Sequence, residues 1–124
     1  MKLIPKDTIN FLRELKLNNN RDWFNENKQR FNSIQSGVKE FANEVNESLK
    51  KSDDIEKLKI FRIYRDLRFS KDKTPYKKNI GMAFHRAKPE LRGGYYLEIS
   101  ADESFIAVGF GIQIKKIFFE LEKK

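Results

Sequence analysis

The residues best suited to chemistry in this 124-residue chain lie in one stretch, 62–81. Seven basic side chains stand there against two acidic ones, so the stretch supplies five of the eight net positive charges. The basic residues are Arg62, Arg65, Arg68, Lys71, Lys73, Lys77 and Lys78, and the acidic ones are Asp66 and Asp72. Guanidinium groups bind phosphate and carboxylate oxygens through paired hydrogen bonds, and lysines add mobile positive charge. The stretch therefore predicts a site for an anion.

Alternation of apolar and polar residues over 61–70 predicts that this stretch begins as a β-strand. Its apolar face would hold Phe61, Ile63, Leu67 and Phe69. Arg65 breaks the pattern, because strict alternation places it among these apolar residues. Either a bulge turns its side chain to the other face or the arginine is buried. A buried guanidinium keeps its proton and requires a partner. We expect that partner to be Asp66, Asp72, Glu98 or an external anion.

A loop stiffened by Pro75 follows the predicted strand, from Lys71 to Asn79. Tyrosine hydroxyls in such a loop can orient an anion that the basic residues bind. The candidate ligand-binding residues are Arg62, Arg65, Asp66, Arg68, Lys71, Asp72, Lys73, Tyr76 and Lys77. A structural alternative stays open, in which Arg–Asp pairs join neighbouring strands and the loop is only a solvated basic surface.

Several kinds of site are absent from the sequence. His85 is the single histidine and there is no cysteine, so a zinc site built from these residues is excluded. No phosphate-binding P-loop and no dinucleotide-binding glycine pattern occurs. A magnesium or calcium site made of carboxylates alone is possible, but no spacing indicates one. We therefore predict no metal and no cofactor, and leave open whether the protein is an enzyme.

Composition predicts a packed, bacterial-type cytoplasmic protein. Hydrophobic residues make up 39% and aromatic residues 13% of the chain, which favours a folded core over disorder. No apolar run approaches the roughly 20 residues that span a bilayer, and residues 1–7 do not resemble a secretory signal. A pI near 9.7 is compatible with nucleic acid, nucleotides or acidic partners.

Periodicity predicts an α+β fold in a single domain spanning 1–124. The helical part covers 7–50, with a short helix over 7–17 and a long one from Arg21 to about Lys50. The sheet part covers 59–111 and comprises about four antiparallel strands. The tail, 113–123, has apolar residues at helical spacing and predicts a short C-terminal helix. We expect the two N-terminal helices to pack on the sheet.

Two segments of the chain resemble the signatures of a known family. Residues 18–28 match the pattern Asn-Asn-x-Arg-x-Trp-Phe-x-x-Asn-Lys. Residues 62–77 match a longer basic motif with the order Arg-Ile-Tyr-Arg-Asp-x-Arg-Phe-Ser-Lys-Asp-Lys-Thr-Pro-Tyr-Lys. The family is the mainly bacterial group called domain of unknown function 2461. The resemblance extends from Thr8 to Gly111. Family members usually continue through a longer C-terminal region, so this chain resembles a truncated or short form.

The resemblance implies a site but no particular reaction. It gives weight to the nine candidate residues of the basic stretch. It also adds Arg21, Trp23, Asn27 and Lys28 as secondary candidates. Trp23 has two interpretations, since it either packs on the first helix or lines a pocket with the basic segment. A catalytic partner in the longer C-terminal region of other members would be missing here.

Together these observations predict a phosphorylated or otherwise anionic small molecule as the ligand of the segment 62–78. One alternative is a structural or protein-interaction module without ligand chemistry. Another is a weak nucleic-acid binder that stacks bases on Trp23 or Tyr76. We rank nucleic acid second to small anions because the basic residues are concentrated in one place. No membrane partner is expected, and the oligomeric state is left open.

Overall fold

The computed structural model describes residues 4–87, 93–110 and 113–119. Three helices come first: α1 (Asp7–Leu17), α2 (Arg21–Glu26) and α3 (Lys28–Lys50). Five strands follow: β1 (Ile55–Ile60), β2 (Asn79–Arg86), β3 (Gly94–Ser100), β4 (Ser104–Phe110) and β5 (Gln113–Phe119). The predicted α+β class, with helices preceding an antiparallel sheet, is confirmed.

Asparagine side chains divide the helical part. The Oδ1 of Asn20 accepts a hydrogen bond from the backbone N–H of Trp23 at 2.8 Å and caps the start of α2. Asn27 then ends that helix, and its Nδ2 donates to the carbonyl of Trp23 at 2.9 Å. The prediction of one continuous helix from Arg21 to Lys50 is therefore wrong at Asn27. An asparagine amide competes with the helical backbone hydrogen bonds, which apolar periodicity does not register.

Each of the two longer helices buries one apolar stripe. In α1 the stripe consists of Phe11, Leu12 and Leu15, all fully buried. In α3 it consists of Ile34, Val38 and Ala42. Helix α3 contacts β1 and helix α1 contacts β3, so both helices lie over the sheet. The predicted packing of helices on a sheet follows from these two stripes.

The sheet is an antiparallel meander with the strand order β1-β2-β3-β4-β5. Its central register pairs Met82 with Leu97 and Ile80 with Ile99. All four side chains are buried and belong to the core that the helices cover. The neighbouring residues Lys59, Ala83 and Tyr96 have the opposite parity and lie on the other face.

The last predicted element is not present as predicted. Residues 113–119 form β5, which pairs with β4 from Ser104↔Phe119 to Phe110↔Gln113, so the predicted tail helix is wrong over these residues. The sheet therefore has five strands where about four were predicted. Pairing with β5 provides hydrogen-bond partners for the backbone groups at the edge of β4. This stabilisation by a neighbouring strand outweighs the local preference for a helix that the apolar spacing of the tail indicates. The rest of the predicted helix, 120–123, lies outside the described residues.

None of the helices in the described ranges is both long enough and apolar enough to cross a membrane.

Candidate functional site

The basic loop, residues 61–78, connects β1 to β2 and is not the strand that alternation predicts. Phe61 still donates to the carbonyl of Gly81 at 2.9 Å, but regular pairing with β2 ends there. The two arms of the loop instead pair with each other through a bridge between Tyr64 and Tyr76. Residues 66–74, between the arms of this short stem, form the loop tip.

Aromatic packing fixes the stem against the helices. The ring of Tyr76 is 3% exposed and stacks on Phe24 of α2, with 4.1 Å between ring centroids and 13° between planes. Tyr64 lies at the edge of the same cluster, 5.5 Å from Tyr76 and 6.1 Å from Phe24. Ile63 is buried beside them. The returning arm of the loop is thus part of the hydrophobic core.

Asn19, in the linker between α1 and α2, holds the loop through a second contact. Its Nδ2 donates to the carbonyl of Tyr76 at 2.9 Å, and its Oδ1 accepts from the N–H of Tyr76 at 3.0 Å. A primary amide offers the same donor and acceptor as a peptide group. Asn19 therefore satisfies both backbone groups of Tyr76, as a neighbouring strand would.

Arg65 ties the loop tip together from inside. Its Nη1 donates to the carbonyl of Asp72 at 3.0 Å, to the carbonyl of Thr74 at 2.8 Å and to Thr74 Oγ1 at 2.9 Å. Its Nη2 donates to Ser70 Oγ at 3.0 Å. Of the partners expected for Arg65, Asp72 is the one it meets, mainly through the backbone carbonyl, since the carboxylate lies 3.6 Å away. Because residue 65 is not in a strand, the prediction that Arg65 points into an apolar face is wrong. The prediction that its guanidinium needs a partner is confirmed.

Further contacts close the tip on itself. Asp72 Oδ1 accepts from the N–H of Thr74 at 3.0 Å, and the hydrogen bonds from Thr74 lower the pKa of the Asp72 carboxyl. Lys73 Nζ donates to the carbonyl of Leu67 at 2.6 Å. Asp72 and Lys73, both predicted as ligand-binding residues, therefore also hold the loop in shape.

Arg68 and Asp66 form an exposed pair at the tip. The Nε and Nη2 of Arg68 donate to the two carboxylate oxygens of Asp66 at 3.0 and 2.8 Å. These hydrogen bonds lower the pKa of Asp66 and raise that of Arg68. The structural alternative, Arg–Asp pairing, describes these two residues well, although they pair within one turn and not across strands.

An open groove lies between the basic loop and the α1–α2 linker. Its volume is about 540 Å³. One wall consists of Asn19, Asn20, Arg21 and Asp22, and the other of Asp72, Lys73, Thr74 and Pro75. The two walls belong to the two sequence segments that carry the family signatures. Folding thus brings two predicted segments, distant in sequence, to one polar surface.

The cations of the basic loop and of the α1–α2 linker differ in how free they are to bind a ligand. Arg21 is exposed and makes no hydrogen bond or ion pair with the described part of the chain. Burial and the nearby Tyr64 raise the pKa of Tyr76, and the charge of Arg21 opposes that rise. Lys71 is exposed on the loop tip. Arg62 lies over the Tyr64 ring at 5.5 Å, and Lys77 over the Phe61 ring at 5.7 Å.

The other secondary candidates do not line the groove. Trp23 packs on Phe11 of α1, with 5.5 Å between ring centroids, in agreement with the first of its two interpretations. Asn27 separates α2 from α3 by bonding Trp23. Lys28 is exposed at the start of α3. Among the described residues, no group of three or more histidine, aspartate or glutamate side chains is arranged to hold a metal ion.

Five residues that line the groove were not among the predicted site residues: Asn19, Asn20, Asp22, Thr74 and Pro75. Asn19 lies in the first signature segment, residues 18–28, and its membership of that segment was the available signal. Thr74 and Pro75 carried the same signal, because the second signature segment specifies both, whereas Asn20 and Asp22 stand at unspecified positions of the first.

Comparison with known proteins gives one match. The model of a family described as "Conserved hypothetical protein (DUF2461)" matches residues 7–116. No curated protein and no solved structure matches the chain. The match covers both walls of the groove and the whole basic loop.

Proposed function

The chain belongs to the DUF2461 family of conserved hypothetical proteins, and from that premise we propose that it binds a phosphorylated or other anionic ligand in the groove between the basic loop and the α1–α2 linker. One observation carries the proposal: Arg21 and Lys73, from the two signature segments, line the same groove. Its volume is within the range of about 300–1,000 Å³ that is typical of small-molecule sites.

The two cations supply complementary donors. The guanidinium of Arg21 can grip two anion oxygens at once, and it makes no hydrogen bond with the described residues. The ammonium of Lys73 has three donors, of which the carbonyl of Leu67 takes one. An oxyanion between these groups would receive hydrogen bonds from both walls.

Acidic residues on each wall narrow the kind of anion that fits. Asp22 lies beside Arg21, and Asp72 lies beside Lys73. The Asp72 carboxylate is oriented toward the N–H of Thr74. An extended polyanion would meet these carboxylates, whereas a compact phosphate can lie between the cations. This charge pattern favours a small ligand over a long, purely electrostatic contact with nucleic acid.

In this proposal Arg65 positions the loop and does not bind the ligand. Its donors are already directed at Asp72, Thr74 and Ser70. Arg62, Lys71 and Lys77 add positive potential around the site, while Arg68 is paired with Asp66. The set of direct ligands is therefore smaller than the nine residues predicted from sequence.

Titration with pyrophosphate tests the proposal. We expect Arg21→Gln and Lys73→Gln each to weaken binding about tenfold or more, because each removes a charge-assisted hydrogen bond. Glutamine is preferred to alanine at position 73 because its amide can still donate to Leu67. Isothermal titration calorimetry at low salt gives the dissociation constants.

The matched control is Lys39→Gln, which removes one exposed charge from α3, on a different part of the surface. It should leave the dissociation constant unchanged. Equal weakening by all three variants would mean that only net charge matters. Absence of pyrophosphate binding in the unmodified protein would leave the loop as a structural element.

A further inference from the structure

Phe69 is the most anomalous side chain in the described structure. Alternation places it on the apolar face of a strand, yet 95% of it is exposed. A large aromatic ring in water forgoes the gain that burial provides, so an almost fully exposed phenylalanine is informative. It occupies the tip of the same loop that walls the groove.

The ring is displayed by an ordered turn. The N–H of Ser70 donates to the carbonyl of Leu67 at 3.3 Å, which makes Arg68 and Phe69 the central residues of a four-residue turn. Ser70 Oγ accepts from Arg65 and donates to the carbonyl of Asp72 at 2.8 Å. Arg65 thus anchors the residue next to Phe69, and the loop presents the ring outward at little further entropic cost on binding.

A second flat group lies beside the ring. The guanidinium carbon of Arg68 is 5.7 Å from the centroid of the Phe69 ring. Asp66 holds that guanidinium through two hydrogen bonds. Aromatic rings and guanidinium planes are the two groups on which proteins stack nucleobases.

Phe69 is close in the chain to the groove wall. Four peptide steps separate it from Lys73, so their Cα atoms are at most about 14 Å apart. The loop also folds back, since Lys73 Nζ contacts the carbonyl of Leu67, two residues before Phe69. A ligand with a phosphate beside Lys73 and a base on Phe69 would be a nucleotide or a short stretch of single-stranded nucleic acid.

We infer that the anionic ligand of this protein carries a nucleobase, which stacks on Phe69 while its phosphate binds between Arg21 and Lys73. This inference rests on the function proposed above and specifies the ligand class. Trp23 and Tyr76, the stacking residues expected from sequence, are packed against Phe11 and Phe24. Phe69 takes over the role for which they were considered.

Charge at the tip argues against a lipid surface as the partner. Phe69 is the one large hydrophobic side chain exposed in the described part of the tip, whereas membrane-binding segments insert several. Asp66 and Asp72 flank it and would face anionic headgroups. A single base needs only one ring, and its phosphate needs only the nearby cations.

Three ligands of increasing size test the inference: pyrophosphate, ribose 5-phosphate and adenosine monophosphate. We expect the unmodified protein to bind the nucleotide more tightly than ribose 5-phosphate. Phe69→Ala should weaken nucleotide binding about tenfold, the typical effect of losing one stacked base, and leave ribose 5-phosphate unaffected. Phe69→Tyr, which keeps an aromatic ring, should bind the nucleotide as the unmodified protein does. Leu17→Ala, which truncates another exposed apolar side chain on α1, is the matched control.

A labelled ten-nucleotide oligothymidine and its abasic counterpart show whether the base belongs to a free nucleotide or to single-stranded nucleic acid. Tighter binding of the oligothymidine than of the nucleotide, lost in the abasic strand, assigns single-stranded nucleic acid. The reverse order assigns a free nucleotide. Both results support the inference.

Equal affinity of the unmodified protein for nucleotide and ribose 5-phosphate would overturn the inference, as would unchanged nucleotide binding by Phe69→Ala. In either case Arg21→Gln would still weaken pyrophosphate binding if the groove binds anions, so the two proposals can fail separately. Phe69-dependent binding to anionic phospholipid vesicles without nucleotide binding would also overturn it.

Discussion

Two arginines of this protein are buried to the same extent and held in different ways. The side chain of Arg30 is 26% exposed and that of Arg65 is 25% exposed. Arg30, on α3, binds the carboxylates of Asp7 and Glu14 on α1. Arg65, in the basic loop, binds backbone carbonyls and hydroxyls, and one carboxylate lies 3.6 Å from it.

The partners determine what happens to the charge. Two carboxylates more than neutralise Arg30, and its hydrogen bonds lower the pKa values of Asp7 and Glu14. Arg65 is held mainly by neutral oxygens, and the single carboxylate at 3.6 Å offsets its charge only in part. The cluster of Arg30, Asp7 and Glu14, here called the helical cluster, therefore joins α1 to α3 and creates little positive electrostatic potential. The basic loop is also held by its arginine, but it keeps a positive potential. A binding surface for anions benefits from the second arrangement.

The largest expected effect is on stability, at Arg65. We expect Arg65→Met to lower the free energy of unfolding by about 2–3 kcal/mol, because several hydrogen bonds from a charged group are lost together. Arg30→Met should cost less, about 1 kcal/mol, since its carboxylate partners can turn to solvent. Urea melts give both values.

Lys78→Ala is the control for Arg65, because it removes an exposed charge from the same loop. Its effect should be within about 0.5 kcal/mol. Should Arg65→Met be as mild as Lys78→Ala, the loop would not depend on its internal arginine, and the contrast between the two regions would disappear.

A smaller effect is expected at Asn19, which joins the loop to the helical part. Asn19→Ala removes both hydrogen bonds to Tyr76 and should cost about 1–2 kcal/mol. Asn19→Asp should be at least as destabilising, because a carboxylate accepts from the Tyr76 N–H but repels its carbonyl. Asn25→Ala, an exposed asparagine on α2, is the control and should be near neutral.

The smallest effect is a pH dependence of the stabilisation that Arg30 provides, which Arg65 should not share. The folded-state pKa values of Asp7 and Glu14 lie below their ordinary values of about 3.9 and 4.3. Their contribution to stability is therefore complete above about pH 4.3 and is lost as the pH falls through the folded values. Both carboxylates are nearly half exposed, so we expect only about 0.5–1 kcal/mol.

Comparison of variants separates the pH dependence due to Asp7 and Glu14 from that of the other carboxylates. The stability difference between the unmodified protein and Arg30→Met should shrink between pH 5 and pH 3 (roughly the range set by these pKa values). The difference from Arg65→Met should stay nearly constant. A loop variant with the same acid dependence would show that Asp72 neutralises Arg65 after all.

Local patterns predicted most of the fold. The buried stripes of α1 and α3 and the alternation in β2 and β3 are strong signals, since each element covers one apolar surface. The break at Asn27 and the strand at 113–119 were missed. A side-chain amide caused the first, and pairing with β4 caused the second. The spacing of apolar residues along the chain reports neither of these two interactions.

The candidate site was predicted less completely. Charge and the signature segments located the basic loop and Arg21, and the need of Arg65 for a partner correctly included Asp72. The alternation over 61–70 misled, because the loop leaves the sheet at Phe61 and exposes Phe69. The contact between Asn19 and Tyr76 could not be predicted from the sequence, because an amide side chain can pair with the backbone of any residue that folding brings near it.

The meander order of the sheet has a consequence for how the site acquires its structure. Each strand pairs with its neighbour in sequence, and the contacts β2–β3, β3–β4 and β4–β5 each close a short loop of chain. The contact of Asn19 with Tyr76 joins residues 57 positions apart. Closing so long a segment in an unfolded chain costs more entropy than closing a hairpin. Once hairpins and helices have formed, most of that cost has already been met, so the groove is expected to assemble late in folding.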